Sequence, residues 1–234
     1  MAKRPVCVVI GVGPGNGAAF ARRFDREGYA LALLARSEDT SRKLAAELGE
    51  ARAFTCDVGD PASVQRAFAA IREALGEPDV IIYNAGSGTF GTLDDVSAAD
   101  LESSWRVNTL GLFAVAKEVA PAMQARGSGS IVIVGATASR RGVPRTIAFA
   151  QAKAGQRSLA ESLARHLWPK GIHVSVIILD GVVDLPRTRA HMPGKPDSFF
   201  VAPDDVANTA AFLAAQPRSA WTFELEARPF GESW

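Results

Sequence analysis

Short apolar runs alternate with longer amphipathic segments along almost the whole chain, and this alternation constrains the fold more than any other feature. Each run has the length of a strand and is nearly continuously apolar, as in strands buried on both faces: Val6–Ile10, Ala30–Ala35, Arg52–Thr55, Asp79–Tyr83, Ser130–Val134 and His173–Leu179. Helices are predicted between and after them, at about 16–28, 38–48, 61–75, 98–126, 148–168 and 203–215. This order predicts a single α/β domain over 1–234, doubly wound around a mainly parallel sheet of about seven strands.

A cluster of glycines follows the first predicted strand directly and leads into the first helix. It reads Gly11-Val12-Gly13-Pro14-Gly15-Asn16-Gly17. Glycines let a backbone turn sharply and approach a pyrophosphate, and the helix behind them offers free N–H groups and a positive dipole end. Two spacings fit a dinucleotide site, Gly13-x-Gly15-x-x-Ala18 and Gly11-x-x-x-Gly15-x-Gly17. A purely structural turn is the other interpretation, but the position after the first strand favours the dinucleotide.

The end of the second strand indicates which dinucleotide is bound. An NAD site usually carries an acid about 20 residues beyond the glycine turn, where it bonds the ribose 2′-OH. Here the strand ends without an acid and Arg36 follows. A guanidinium can pair with a 2′-phosphate and stack on adenine, so NADP(H) is predicted and NAD is less favoured. Glu38 and Asp39 stand nearby and weigh against this choice, and a solvated surface arginine is the alternative for Arg36.

Composition excludes several other classes of protein. The 234 residues carry 26 Lys and Arg against 25 Asp and Glu, without a basic block, so neither nucleic acid nor a membrane is an expected partner. No apolar run approaches the roughly 20 residues of a membrane helix, and a cytoplasmic location is expected. Cys7 and Cys56 are expected to be buried thiols, with neither a disulfide nor a metal site.

Two stretches are less regular than the rest. The segment 181–202 is rich in Pro, Gly and Arg and follows the sixth predicted strand. It would lie over the carboxyl edge of the sheet, either as a mobile lid over substrate or as an ordinary surface loop. The aromatic-rich tail 221–234 is interpreted as a final strand followed by a segment that packs at a subunit contact.

Together with Tyr83-Asn84-Ala85-Gly86 after the fourth strand, these features resemble the short-chain dehydrogenase/reductase family over nearly the whole chain. The resemblance implies a Rossmann fold and an NAD(P)-linked oxidoreductase. It implies that Asp57 contacts the adenine, that Lys153 is the catalytic Lys on the nicotinamide ribose, and that Asn108 is the family's structural and catalytic Asn. The cofactor contacts expected in this way are Gly11, Gly13, Gly15, Asn16, Gly17, Arg36, Asp57, Val58, Asn84, Ala85, Gly86, Lys153, Gly181 and Val183.

The same resemblance reveals departures at the catalytic positions. Four residues before the Lys, where the family has a proton-donating Tyr, this chain has Phe149. Thirteen residues earlier, where the family has a substrate-binding Ser, it has Ala136. Losing a general acid typically costs about 10²–10⁴-fold in rate, and losing an oxyanion donor costs a similar factor. After the sixth strand, Asp180 stands at the position of the family's Pro and Leu185 at that of its Thr.

Other side chains could supply the missing proton. Thr137, which follows Ala136, is predicted to be the third catalytic residue beside Asn108 and Lys153. The remaining candidates are Ser139, Tyr83, Asp180, His191 and Lys153 itself.

Two functions fit this set of residues. The first is an NADP(H)-dependent oxidoreductase that acts on a small carbonyl, alcohol or activated alkene through a degenerate Ser-Tyr-Lys site. The second is a non-catalytic NADP(H)-binding sensor or partner subunit. In either case the resemblance implies a homodimer or homotetramer formed through the helices predicted at 98–126 and 148–168.

Overall fold

The computed structural model describes residues 3–231, so the two ends of the predicted domain 1–234, including the last three residues of the tail 221–234, lie outside the described residues. The described chain forms the strands β1 (Val6–Ile10), β2 (Ala30–Ala35), β3 (Ala51–Thr55), β4 (Val80–Tyr83), β5 (Gly129–Val134), β6 (Ile172–Leu179), β7 (Val182–Val183), β8 (Phe200–Val201) and β9 (Glu224–Ala227). Its α-helices are α1 (Asn16–Arg26), α2 (Glu38–Glu47), α3 (Pro61–Ala74), α4 (Ala98–Trp105), α5 (Gly111–Arg126), α6 (Ile147–Leu167), α7 (Pro186–His191) and α8 (Pro203–Ala214).

Seven strands form one sheet in the order β3-β2-β1-β4-β5-β6-β9, and every pair of neighbours runs parallel. Successive side chains of a strand point to opposite faces, and helices cover both faces here. Val8 and Ile10 pack into one core cluster and Val9 packs into the other. The near-continuous apolar runs therefore fill two cores at once, and the predicted fold class is confirmed.

Local signals in the sequence start several of the helices. Asp60 caps α3, where its carboxylate accepts a hydrogen bond from the N–H of Ala62 at 3.0 Å, and Pro61 occupies the first turn. Ser97 and Asp100 form a reciprocal capping box at the start of α4. These caps fix where the connections leave the carboxyl edge of the sheet.

The order of the strands creates a crevice at the carboxyl ends of β1 and β4. β1 lies between β2 and β4, so the chain winds away from β1 in both directions. Ligands of doubly wound proteins bind at such a switch point, outside the carboxyl ends of the strands. The glycine turn that follows β1 lies at this position.

The helix predicted at 98–126 is not a single α-helix, so that detail of the prediction was wrong. A π-helical turn, Arg106–Leu110, separates α4 from α5. Two buried side chains bond carbonyls of this turn: the Tyr83 hydroxyl donates to the Val107 oxygen at 2.5 Å, and the Gln156 amide donates to the Asn108 oxygen at 2.9 Å. Such bonds compensate the backbone groups that a π-turn leaves without regular helical partners.

The irregular stretch 181–202 is more ordered than the sequence suggests. β7 and β8 pair as a short parallel ladder, and α7 lies between them. Arg189 bonds both Asp184, at 2.5 Å, and Asp197, at 2.6 Å. These ion pairs join the two ends of the segment across α7.

Trp221, the first residue of the tail, packs against His173 of β6. The rings of His173 and Trp221 are stacked, with centroids 4.9 Å apart. His173 is buried, and its ring nitrogens contact the backbone oxygens of Leu213 and Thr222. Of the helices in residues 3–231, none is both long and apolar enough to span a bilayer.

Candidate functional site

The glycine turn after β1 is built in direct contact with the end of β4. Gly11 has φ of +87°, and a Cβ added to it would lie 2.6 Å from the backbone nitrogen of Ala85. The Asn84 side-chain amide donates to the Gly11 carbonyl oxygen at 2.8 Å. A side chain at position 11 would therefore force the two strand ends apart and adopt an unfavourable backbone conformation.

The other glycines of the turn differ in how closely they are packed. A Cβ at Gly17 would lie 2.7 Å from the Gly11 oxygen, and one at Gly15 would lie 2.5 Å from Cδ2 of Leu185. A Cβ at Gly13 would meet no atom within 4 Å. The crowded positions are thus those of the wider spacing, Gly11-x-x-x-Gly15-x-Gly17, and sterics favour this one of the two possible registers.

The start of α1 presents unsatisfied polar groups at the same place. No side chain caps this end of the helix at Gly15. The Ala18 N–H donates to the Gly13 carbonyl oxygen at 3.0 Å, which leaves the N–H groups of Asn16 and Gly17 available for a ligand. The Asn16 side-chain oxygen is buried and has no hydrogen-bond partner among the described residues. Buried polar atoms are normally paired, and an orphan acceptor beside a helix N-terminus indicates a place where a ligand or water completes the site.

A cleft of about 430 Å³ opens over this turn. Twelve of the predicted cofactor contacts line it: Gly11, Gly13, Gly15, Asn16, Gly17, Arg36, Asp57, Val58, Asn84, Ala85, Gly86 and Val183. Gly181 and Lys153 are not among the lining residues. Ten residues that the sequence did not single out as contacts also line the cleft, among them Ser87, Val107, Leu185 and Arg187.

Arg36 stands exposed at the rim of the cleft, directly after β2. Among residues 3–231 its guanidinium forms neither a hydrogen bond nor an ion pair. The nearby Glu38 is engaged elsewhere, because its carboxylate bonds Thr55 and Arg42, and these bonds lower its pKa. Glu38 therefore does not neutralise Arg36, and the guanidinium is available to an anionic ligand.

Asp57 and Val58 form the wall of the cleft after β3. One carboxylate oxygen of Asp57 accepts the N–H of Gly59 at 2.9 Å, and its own N–H donates to the Ser63 hydroxyl at 3.1 Å. Cys56 is buried beside them, and burial raises the pKa of its thiol to about 11. Cys56 therefore stays a neutral thiol, as does Cys7, whose pKa burial also raises. Within the described chain no three His, Cys, Asp or Glu side chains are grouped as they would be around a metal ion.

Lys153 is buried on α6, behind the end of β5. Its ammonium donates to the Val134 carbonyl oxygen at 2.9 Å and to the Gln156 side-chain oxygen at 3.0 Å. Burial lowers the pKa of Lys153 to about 8, and no charged neighbour contributes to that change. An ammonium has three donors, so one remains after these two bonds.

Asn108 lies in the π-turn and, like Lys153, has its side chain close to Gly86. Its amide nitrogen donates to the backbone oxygens of Ser87, at 2.6 Å, and Ser104, at 2.8 Å. Its side-chain oxygen is buried without a partner among the described residues. That oxygen and the Lys153 ammonium each lie 3.6 Å from the position a Cβ would take at Gly86. The structure thus brings a free acceptor and a lysine donor together behind Gly86.

Gln156 links these two residues and was missed by the sequence analysis. Its oxygen accepts from Lys153, and its nitrogen donates to the backbone oxygen of Asn108 at 2.9 Å. The spacing of three residues on one helix places Lys153 and Gln156 side by side. The link to Asn108 depends on the π-turn, which no pattern in the sequence indicated.

Phe149 and Ala136 present only carbon to this region. The Phe149 ring packs against Gly88, where an added Cβ would lie 2.6 Å from the ring, and against Phe90, with centroids 5.2 Å apart. The Lys153 ammonium lies 6.0 Å from the Phe149 centroid. The Ala136 N–H donates to the Ser139 hydroxyl at 3.1 Å. Neither side chain carries a proton that it could exchange with a ligand.

Thr137 and Asp180 are bonded to each other rather than facing open space. The Thr137 hydroxyl donates to one Asp180 oxygen, and the other oxygen accepts from Arg228 at 2.5 Å and Arg141 at 3.3 Å. Asp180 is almost completely buried. Both carboxylate oxygens of Asp180 thus accept hydrogen bonds from within the protein, and its side chain does not face the cleft.

Two further proton-donor candidates lie outside the cleft. Tyr83 is completely buried, its hydroxyl bonds the π-turn, and burial raises its pKa. Tyr83 ends β4 beside the cleft, as predicted, but its side chain is buried among core residues and does not line the cleft. His191 is exposed at the end of α7, where its ring nitrogen bonds the Arg187 carbonyl at 2.7 Å.

Comparisons with known proteins give a consistent result. The sequence profile for short chain dehydrogenases matches residues 5–192. A D-threitol dehydrogenase of Mycolicibacterium smegmatis is 30% identical over 222 residues, which span 90% of this chain and 85% of that protein. An alcohol dehydrogenase from the archaeon Thermococcus sibiricus, solved with 5-hydroxy-NADP, has a TM-score of 0.87 at 28% identity, covering 98% of each chain. An actinorhodin polyketide ketoreductase variant solved with NADPH has a TM-score of 0.89 at 28% identity, also covering 98% of each chain.

Proposed function

The chain belongs to the short-chain dehydrogenase family, and on that premise we propose that it binds NADP(H) and acts as an oxidoreductase. Its substrate is a small carbonyl compound, an alcohol or an activated alkene. The observation that carries the proposal is the cleft over the glycine turn, with an unpaired guanidinium at its rim. The solved relatives with NADPH and 5-hydroxy-NADP support the choice of cofactor.

The residues around the cleft fit a dinucleotide. Gly11 and Gly17 pack against backbone, and the lack of side chains along the turn lets a pyrophosphate approach the uncapped N-terminus of α1. The buried orphan oxygen of Asn16 lies at the same place and, as an acceptor, would pair with a hydroxyl or a water beside the pyrophosphate rather than with the pyrophosphate itself. Asp57 is assigned to the adenine, with Val58, Asn84, Ala85, Gly86, Gly181 and Val183 as further contacts.

Arg36 accounts for the preference for NADP(H) over NAD(H). It follows β2, where an acid would bond the ribose 2′-OH, and its guanidinium is free to pair with a 2′-phosphate. Arg36→Gln is therefore expected to weaken NADPH binding about 10-fold or more while leaving NADH binding within about twofold. Equal weakening for both cofactors would contradict this role of Arg36.

NADPH supplies a hydride when it is bound, so the remaining requirement is a group that holds or protonates the substrate oxygen or carbon. Lys153 is assigned to the nicotinamide ribose and Asn108 to its structural and catalytic role, because a polar atom of each lies 3.6 Å from the position of a Cβ at Gly86, which lines the cleft. Thr137 is the proposed hydroxyl contact for substrate. Rotation of its side chain would exchange the bond to Asp180 for one to a substrate oxygen.

Phe149 and Ala136 set the chemistry apart from a hydroxyl-based site. We assign them to the positions of the family's Tyr and Ser, so no phenol or serine hydroxyl is available for proton transfer. Substrates that need little proton assistance, such as activated carbonyls and conjugated alkenes, fit such a site best. Unactivated ketones are expected to react poorly.

The same two side chains favour an alternative, a protein that binds NADP(H) without turning it over. The Phe149 ring is packed against Gly88 and Phe90 like a core residue. Lys153 already donates two hydrogen bonds within the protein. A redox-state sensor or a partner subunit needs the cleft but no proton donor.

A substrate screen combined with a double variant separates the two functions. The unmodified protein is tested with NADPH against simple ketones, activated carbonyls and enones. The oxidoreductase predicts NADPH oxidation with an activated substrate, and Ala136→Ser combined with Phe149→Tyr should then raise turnover of simple ketones. NADPH binding without oxidation in any arm, in the unmodified protein and the double variant alike, would contradict the oxidoreductase and favour the sensor.

We further propose that the chain forms a homodimer or homotetramer through α4, α5 and α6. Leu101, Trp105 and Phe113 lie on the first two of these helices and are exposed by 38%, 41% and 47%, which is unusual for large apolar side chains. Trp105→Glu is expected to lower the mass measured by sedimentation. If the Trp105→Glu protein keeps the oligomeric mass of the unmodified protein, the interface lies elsewhere. If the unmodified protein itself has the mass of a single chain, the proposed oligomer is refuted.

We also propose that the segment 181–202 covers the substrate side of the cleft. Val183, Leu185 and Arg187 of this segment already line the cleft, which supports that position. Hydrogen exchange over 181–202 should slow when NADPH is added. Unchanged exchange there would favour an ordinary surface loop.

A further inference from the structure

The segment that precedes α7 lies directly on the glycine turn. A Cβ at Gly15 would be 2.5 Å from Cδ2 of Leu185, so the Leu185 side chain rests on the turn. Leu185 is the residue before α7, and Arg187 follows two positions later and lines the same cleft. α7 therefore contributes a wall of the cleft next to the position proposed for the pyrophosphate.

Arg187 differs in its contacts from Arg189, the other arginine of α7. Arg189 is fixed by Asp184 and Asp197, and its guanidinium lies 4.6 Å from the centre of the Phe200 ring. The Arg187 side chain is exposed, and its guanidinium bonds no carboxylate or carbonyl among residues 3–231. All five of its N–H donors are thus available to a ligand in the cleft.

The charges on the cleft wall also favour an anion beside Arg187. The lining includes two guanidinium groups, those of Arg36 and Arg187, and one carboxylate, that of Asp57. One oxygen of that carboxylate already accepts the N–H of Gly59. The Leu185 side chain offers no hydrogen-bond donor, and Arg187 is the charged donor on this wall of the cleft.

We propose that Arg187 binds the pyrophosphate of the dinucleotide, while Arg36 binds its 2′-phosphate. This proposal rests on the proposed function and assigns the two guanidinium groups to two different phosphates of one ligand. Arginine suits this role because its planar fork makes paired, charge-assisted hydrogen bonds to phosphate oxygens. Two cationic contacts at separate points of the cleft also fix the orientation of the ligand.

Two ligands distinguish the two sites by calorimetry. NADPH carries both the pyrophosphate and the 2′-phosphate, whereas adenosine 2′-monophosphate carries only the latter. Arg187→Gln should weaken NADPH binding about 10-fold or more and change binding of adenosine 2′-monophosphate by less than about twofold. Arg36→Gln should weaken both ligands. Arg187→Lys should restore part of the NADPH affinity, because it keeps the charge and loses the fork.

Arg165→Gln is the matched control for loss of one positive charge. Arg165 lies near the end of α6, is 79% exposed and pairs with Glu161, outside the cleft lining. If Arg187→Gln binds NADPH as the Arg165→Gln protein does, Arg187 is not a phosphate ligand. Equal loss of both ligands in Arg187→Gln would also overturn the assignment, because it would indicate a collapsed cleft. Failure of the unmodified protein to bind either ligand would instead refute the proposed function, and the role of Arg187 with it.

Discussion

Replacing Lys153 by Met should change the way in which stability depends on pH. The ammonium is buried, its two bonds are to neutral oxygens, and burial lowers its pKa from 10.5 to about 8. Below about pH 8 it is charged in both the folded and the unfolded chain. Between about pH 8 and 10.5 the folded chain has lost this proton and the unfolded chain still binds it, so the free energy of unfolding rises with pH.

The size of this effect follows from the two pKa values. From about pH 7.5 to about pH 9.5, a Lys with these values adds about 2 kcal/mol to the free energy of unfolding. Met is of similar length and does not titrate, so the Lys153→Met protein lacks this gain. The stability of the unmodified protein minus that of the variant should therefore increase by about 2 kcal/mol over the interval.

Urea unfolding of both proteins across this pH range measures the difference directly. Other groups that titrate in the range, such as the Cys56 thiol, are common to both proteins and cancel when one is subtracted from the other. A difference that stays constant from about pH 7.5 to about pH 9.5 would refute the reasoning, because it would mean that Lys153 titrates as it does in the unfolded chain.

Three further changes test other parts of the structure, each by urea unfolding. Gly11→Ala should lower the free energy of unfolding by about 2 kcal/mol or more, since position 11 has a positive φ and the new Cβ would clash with the backbone of Ala85. Gly13→Ala is the control, because a Cβ there has open space around it. Equal losses of stability in the two variants would contradict the steric argument. Gln156→Glu should raise the pKa of Lys153 and move the alkaline gain in stability to higher pH, whereas an unmoved gain would show that the two side chains do not interact. Tyr83→Phe should cost about 1–2 kcal/mol through the lost bond to the π-turn, with NADPH affinity unchanged; a loss of affinity would place this hydroxyl in the site.

The sheet and the glycine turn could be predicted because their signals are local. β1 and β4 are apolar at every position since both of their faces are covered, and this leaves a continuous run in the sequence. The turn after β1 needs glycine where another backbone approaches closely, as Gly11 approaches Ala85. The apolar runs reflect burial, and the glycines mark positions from which a side chain is excluded, so both signals are visible in a single sequence even where the excluding backbone is distant, as Ala85 is from Gly11.

The parts that could not be predicted depend on contacts between distant segments. The π-turn at 106–110 is supported by Tyr83 and Gln156, which lie far from it in sequence. Tyr83 follows Ile82 in β4, so the two side chains point to opposite faces of the sheet. Only the structure shows that Tyr83 points to the face covered by α3, α5 and α6, and Ile82 to the other. Arg187 sits in a stretch without periodicity, and its place beside the glycine turn is fixed by the packing of Leu185.

The most direct test of the account is a titration of the unmodified protein with NADPH and with NADH, followed by tryptophan fluorescence and energy transfer to the nicotinamide. Saturable NADPH binding is expected, with NADH bound about 10-fold or more weakly, because Arg36 gains a charged partner only from the 2′-phosphate. Binding of neither cofactor would contradict the central claim that the cleft over the glycine turn is a dinucleotide site.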